Sequence, residues 1–145
     1  MNPFVAGEST EFVELHNYGT SAISIRNWRV KDEDSDDDVI TSNFDSIQAG
    51  GFIIITKNKV DFENAWFGGK SISSIYQVSG LTFANSSDEI IIADDNGDLV
   101  YSLAYADDET EGRATWISTT INDTNIWGSK ASPGIVRAGN DFNGT

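Results

Sequence analysis

The chain predicts an all-β sandwich, and three features carry that prediction. Apolar residues alternate with polar ones in runs of about 5–7 residues, the length and period of strands whose faces differ in exposure. Turn chemistry separates the runs: Asn17-Tyr18-Gly19-Thr20-Ser21, Ala49-Gly50-Gly51 and Asp94-Asp95-Asn96-Gly97-Asp98. Few windows carry a convincing helical stripe.

The first element spans Glu11 to Asn17. Val13 and Leu15 fall on one side, and Phe12, Glu14 and His16 on the other. After the polar turn, Ile23 and Ile25 resume the alternation, and Trp28 and Val30 continue it past a break at Asn27. Such a break lets a strand bend while it carries a large side chain inward, so Trp28 is expected in the core. Six carboxylates in the seven residues from Asp32 to Asp38 must form a solvated acidic loop. Val39-Ile40-Thr41 and Phe44 are expected on the returning strand, with Ile47 the next inward contact. Phe52-Ile53-Ile54-Ile55-Thr56 has the β-branched, apolar character of a central strand.

In the stretch from Lys57 to Gly69, Val60, Phe62, Ala65 and Trp66 can lie on a short helix within 58–68, with Asp61 and Glu63 suited to its early turn. Ile72, Ile75, Tyr76 and Val78 fit one short strand or sheet edge. Glu89–Ala93 and Leu99–Tyr105 flank Asn96-Gly97 as a hairpin, and a type I′ turn is expected because both turn residues tolerate positive φ. Asp107–Glu111 reads as a second acidic loop, 107–111. Arg113 to Ser118 reads as a short strand around Trp116, and Trp127 with Ser132-Pro133-Gly134 as the closing elements.

At 145 residues the chain suits a single domain, 1–145, that buries roughly 68–70% of its unfolded surface. Its abrupt ends read as those of a domain excised from a longer chain. It has no cysteine, which excludes disulfides, thiolate metal sites and thiol nucleophiles. Twenty-three acidic against nine basic residues give a net charge of −14. That balance argues against a counterion-releasing grip on nucleic acid and against anionic membrane surfaces. No apolar run is long enough for a membrane-spanning helix.

Candidate chemistry is sparse. His16 is the only histidine, and its mid-strand position reads as a rim residue rather than a triad base. Glu11 and Glu14 read as structural, pairing with Arg26 or Arg29, rather than as a glycosidase pair. Asp34, Asp36 and Asp38 share the spacing of a calcium loop, yet Val39 stands where such a loop needs glycine and Asp45 where it needs a bidentate glutamate. The plainer reading is a solvated loop with weak divalent attraction, and no cofactor is expected. Asp94, Asn96 and Asp98 alternate similarly, with Leu99 at the glycine position. Trp66 and Trp116, with Phe67 and Tyr76, are the aromatics available for stacking on a sugar; Trp28 and Trp127 belong to the expected core.

Taken in order, the chain resembles the lamin tail domain family. The resemblance rests on Asn2-Pro3, Glu11 to Leu15 with Asn17, Ile25 through Trp28, Val30-Lys31-Asp32 and Ile47 through Phe52. It continues through Leu81, Asn85, Asp88-Glu89-Ile90, Asp94, Gly97 and Tyr105, then Trp127 and Ser132-Pro133-Gly134. His16 and Tyr101 depart from the prokaryotic pattern, and the stretch from Lys57 to Gly80 matches least and reads as a family-variable insertion. The resemblance implies an immunoglobulin-like β-sandwich with no catalytic set. It implies a non-catalytic accessory module of a larger secreted or cell-surface protein, extracellular or periplasmic, presenting loops and a sheet edge to a protein or envelope partner. The alternative is a carbohydrate- or calcium-binding module of the cell envelope.

Overall fold

The structure, a computed structural model, describes residues 11–31, 38–82, 88–105, 115–118 and 123–127. Their strands are β1 (Phe12–His16), β2 (Ile23–Ser24), β3 (Arg29–Lys31), β4 (Asp38–Val39), β5 (Ser46–Ile47), β6 (Phe52–Thr56), β7 (Ile75–Gln77), β8 (Asp88–Ala93), β9 (Leu99–Tyr105), β10 (Thr115–Ser118) and β11 (Asp123–Trp127). One helix, α1 (Lys59–Phe67), lies between β6 and β7. Three strands form a sheet in the order β1-β6-β7 and four form a second in the order β4-β3-β8-β9. The pairs β2-β5 and β10-β11 complete the all-β, immunoglobulin-like arrangement.

The main core lies where these sheets face each other. Val13 from β1, Ile53 and Ile55 from β6, Val30 from β3, and Ile90 and Ile92 from β8 are all buried there, together with Ile25, Ile40, Ile47, Val78 and Leu81. Trp28 packs against this cluster but is only partly buried, so it borders the core rather than filling its centre.

A second cluster explains why β6 is apolar on consecutive residues. Ile54 points away from Ile53 and Ile55 and joins Phe12, Phe62 and Ile75 beneath α1, with Trp66, Phe67 and Ile72 at its margin. The three-stranded sheet is therefore covered on both faces, by the second sheet and by the helix. This corrects the half-buried reading of β1, because Phe12 and Val13 on its opposite faces are both buried. Phe12 meets Phe62 edge-on, with ring centroids 5.2 Å apart.

The helix follows from its ends. Asn58 caps it, accepting from the Asp61 amide at 3.1 Å. Gly68, at φ 61°, ends it in the left-handed region. Glu63, expected only to suit an early turn, is buried and accepts from the Ile72 amide at 2.7 Å. Lys59 lies 3.6 Å from the same carboxylate and donates to the carbonyls of Ile72 and Ile75. These bonds return the chain alongside β6, so β7 runs parallel to it, with Ile54 opposite Ile75 and Thr56 opposite Gln77. A helical crossover is what a parallel neighbour requires.

The β8–β9 hairpin differs from its expected turn. The Gly97 amide donates to the Asp94 carbonyl and the Asp94 amide to the Asp98 carbonyl. Gly97 alone among the turn residues has positive φ, at 85°. That is a three-residue loop, a turn closed by a left-handed glycine, rather than type I′. The Asp94 carboxylate selects it by accepting from the amides of Asn96 and Asp98, both at 2.9 Å. The extra residue appears as a register shift beside Ala93, which opposes Leu99 while Ile92 opposes Tyr101.

Candidate interaction site at the loop end

Asn17 fixes the end of β1. It is buried, and its Nδ2 reaches the carbonyls of Ser21 at 2.8 Å, Ile47 at 2.9 Å and Gln48 at 3.1 Å, while its Oδ1 accepts from the Gly19 amide. Its backbone also exchanges bonds with Gly50 and Gly51. One side chain thus joins two turns and orients the short β2–β5 ladder, in which Ile23 opposes Ile47.

Beyond that ladder, two loops are joined along their backbones. The Ile25 amide donates to Asp45, the Asn27 amide to Thr41 and the Ile40 amide to Trp28, at 2.8–3.0 Å. Asn27 makes the bend with φ 58°, a left-handed conformation that asparagine tolerates better than most residues. The break expected at Asn27 is therefore a tight turn, closed by a bond from the Trp28 amide to the Ile25 carbonyl.

This arrangement places Arg26 over Phe44, with the guanidinium carbon 3.8 Å from the ring centroid. Phe44 is 84% exposed. The expectation that it sits on the returning strand is corrected: β4 ends at Val39, and Phe44 lies in the turn that the Thr41 hydroxyl braces by accepting from the Asn43 amide. Arg26, one of the two arginines expected to pair with Glu11 or Glu14, has the Phe44 ring as its neighbour. The carboxylate next to that ring in sequence, Asp45, is engaged elsewhere. It accepts from the Thr41 hydroxyl at 3.1 Å and interacts with the Tyr76 hydroxyl, whose pKa burial and the Asp45 charge push up to about 12.

The other candidate residues are dispersed. Asp38 opens β4 opposite Val30, and its carboxylate lies against Gly80. Asp34, Asp36 and the 107–111 loop lie outside the described residues. Among the described residues no three potential metal ligands are grouped. Trp66 is half-buried between Phe12 and Phe62, with its Nε1 buried and lacking a hydrogen-bond partner among the described residues. Trp116 is placed on β10 opposite Ile126. His16 is exposed at the end of β1, opposite Phe52. Phe44 is thus the most exposed aromatic side chain among the described residues. Its signal in the sequence was an apolar residue flanked by Ser42, Asn43 and Asp45, which suits a turn better than a strand.

Comparison with known proteins agrees with this architecture. The family model described as Lamin Tail Domain matches residues 2–107, which include both large sheets and the Arg26–Phe44 loops; Trp127 and Ser132-Pro133-Gly134 lie beyond the match. No curated protein matches the chain. Among the described residues no helix is long and apolar enough to cross a membrane. With the match covering most of its length, the chain belongs to the lamin tail domain family, a family of immunoglobulin-like, non-enzymatic interaction modules.

Proposed function

We propose that the chain is a non-catalytic interaction module of a larger secreted or cell-surface protein, meeting a protein partner through its loop end and an adjoining sheet edge. The observation that carries this reading is Phe44, presented to solvent under Arg26 on loops held by backbone hydrogen bonds. An aromatic ring and an arginine are the residue types that most often dominate protein interfaces, and fixing them in advance lowers the entropy lost on binding. The β2–β5 ladder next to these loops leaves Ile23 41% exposed, which extends the apolar surface. The short strands there leave backbone groups at the margin for a partner strand.

A photoreactive residue replacing exposed Asn43 tests the assignment in the native cell. Discrete protein crosslinks from position 43, and none from the same group replacing Val60 on α1, are expected. Equal background labelling from both positions contradicts the loop-end site. Hydrolase activity abolished by changing a single carboxylate contradicts the non-catalytic reading.

A further inference from the structure

We infer that the Arg26–Phe44 pair takes a partner segment bearing one carboxylate beside an apolar side chain; this rests on the interaction-module reading and names the partner's chemistry. Arg26 is one of only nine basic residues in a chain with twenty-three acidic ones. In such an excess an exposed guanidinium would be expected to find a carboxylate of its own chain. It finds none among the described residues, and its side chain lies over the Phe44 ring instead. Asp45, next to that ring in sequence, is committed to Thr41 and Tyr76. Stacking on the ring uses the face of the planar guanidinium and not its in-plane N–H donors, and a partner carboxylate matches the fork geometry of those donors. Phe44, 84% exposed, supplies the apolar contact that the same partner segment must cover.

The charge of the whole chain selects among anions. At −14 it repels a polyanion along its full length, which disfavours nucleic acid and uronate polymers. A single carboxylate flanked by apolar residues meets little of that field, because physiological salt screens charges beyond about 8 Å. A peptide segment fits and a charged polymer does not.

The test is selection of a random peptide display library on the immobilised 145-residue chain, followed by titration of the enriched peptides. The expected consensus carries Asp or Glu next to Leu, Phe or Trp. Arg26→Ala and Phe44→Ala should each weaken binding roughly thirtyfold. Both side chains are exposed, so melting temperatures should stay within about 2 °C of the parent. Arg26→Lys should recover only part of the affinity, since an ammonium lacks the planar fork. Enriched peptides that bind both alanine variants as tightly as the parent overturn this inference and leave the module reading intact. A consensus without a carboxylate overturns it as well. No enrichment at all counts against both. Retention on oligogalacturonate that is lost in Arg26→Ala would assign the site to acidic sugar instead.

Discussion

Replacing Asn17 with alanine should be among the most damaging single polar changes in this domain. The Nδ2 group serves three carbonyls, but they do not lose equally. Gln48 keeps the amide of Gly51 at 2.8 Å, and the Ser21 bond is only partly buried, so water can replace it. Ile47 loses its side-chain donor in a fully buried bond. Losing the buried bond at Ile47, whose carbonyl stays in the ladder opposite Ile23, costs about 0.5–1.5 kcal/mol, and the losses at Ser21 and at the Gly19 amide add about 0.5 kcal/mol each. The sum is about 1.5–2.5 kcal/mol, or a fall of roughly 5–8 °C in melting temperature for a domain of this size. Urea denaturation at constant m-value measures it.

Asn17→Asp sharpens the test. It keeps an oxygen for Gly19 but loses both donors and sets a carboxylate against the Ile47 carbonyl. That environment raises the carboxyl's folded pKa above its unfolded value of about 3.9. Stability is then retained below the unfolded pKa and lost as pH rises through the folded one. The variant should be less stable than Asn17→Ala at pH 7 and draw level with it near pH 4. A cost for Asn17→Ala below about 0.5 kcal/mol, or an aspartate variant no worse than alanine at pH 7, would refute the role given to this side chain.

Other outcomes follow from the same geometry. Phe62→Ala, which empties a fully buried site beneath α1, should cost about 3–5 kcal/mol by chemical denaturation. Gly97→Ala should cost about 1–2 kcal/mol because Gly97 holds φ 85°, while Asn96→Ala should cost under about 0.5 kcal/mol; equal penalties would restore the type I′ turn. Burial, with the Asp45 charge beside it, pushes the Tyr76 hydroxyl from its ordinary pKa of 10.0 up to about 12, so its contribution to stability is complete below pH 10 and lost as pH rises toward 12. Absorbance titration at about 295 nm should show a late-ionising tyrosine that Tyr76→Phe removes. Calcium and magnesium at equal concentration should raise the melting temperature alike, by screening the net charge of −14. A calcium-specific excess abolished by Asp36→Asn with Asp38→Asn would instead establish a site in the acidic loop.

Local chemistry made much of this fold legible. Asn27 and Gly50 bend the chain where their residue types permit positive φ, and the helix within 58–68 is bounded by Asn58 and Gly68 as capping rules require. Burial on a second face was less legible. The alternation in Glu11–Asn17 marks a strand, but whether Phe12 faces water or protein depends on α1, formed by residues far along the chain. The same helix turns β7 parallel to β6. Asp94 changed the expected hairpin through its own side chain, because a carboxylate that accepts two amides favours a wider turn than the Asn-Gly pair alone implies.

The loop-end site shows where reading by composition misleads. An excess of carboxylates suggests that an arginine is neutralised within the chain, and Glu11 and Glu14, on their strand, are the expected partners of Arg26 or Arg29. Neutralisation, however, requires geometry as well as number. The backbone bonds from Ile25 and Asn27 to Asp45 and Thr41 hold Arg26 beside the loop that carries Phe44. The carboxylate of that loop is drawn inward by Thr41 and Tyr76. Phe44 remains for the guanidinium, and an apolar ring left in water stays costly until something covers it. The acidic surface governs long-range repulsion, whereas this pair governs close contact. A partner must tolerate the first and satisfy the second, which is why a short segment with one carboxylate suits the site better than any uniformly charged ligand.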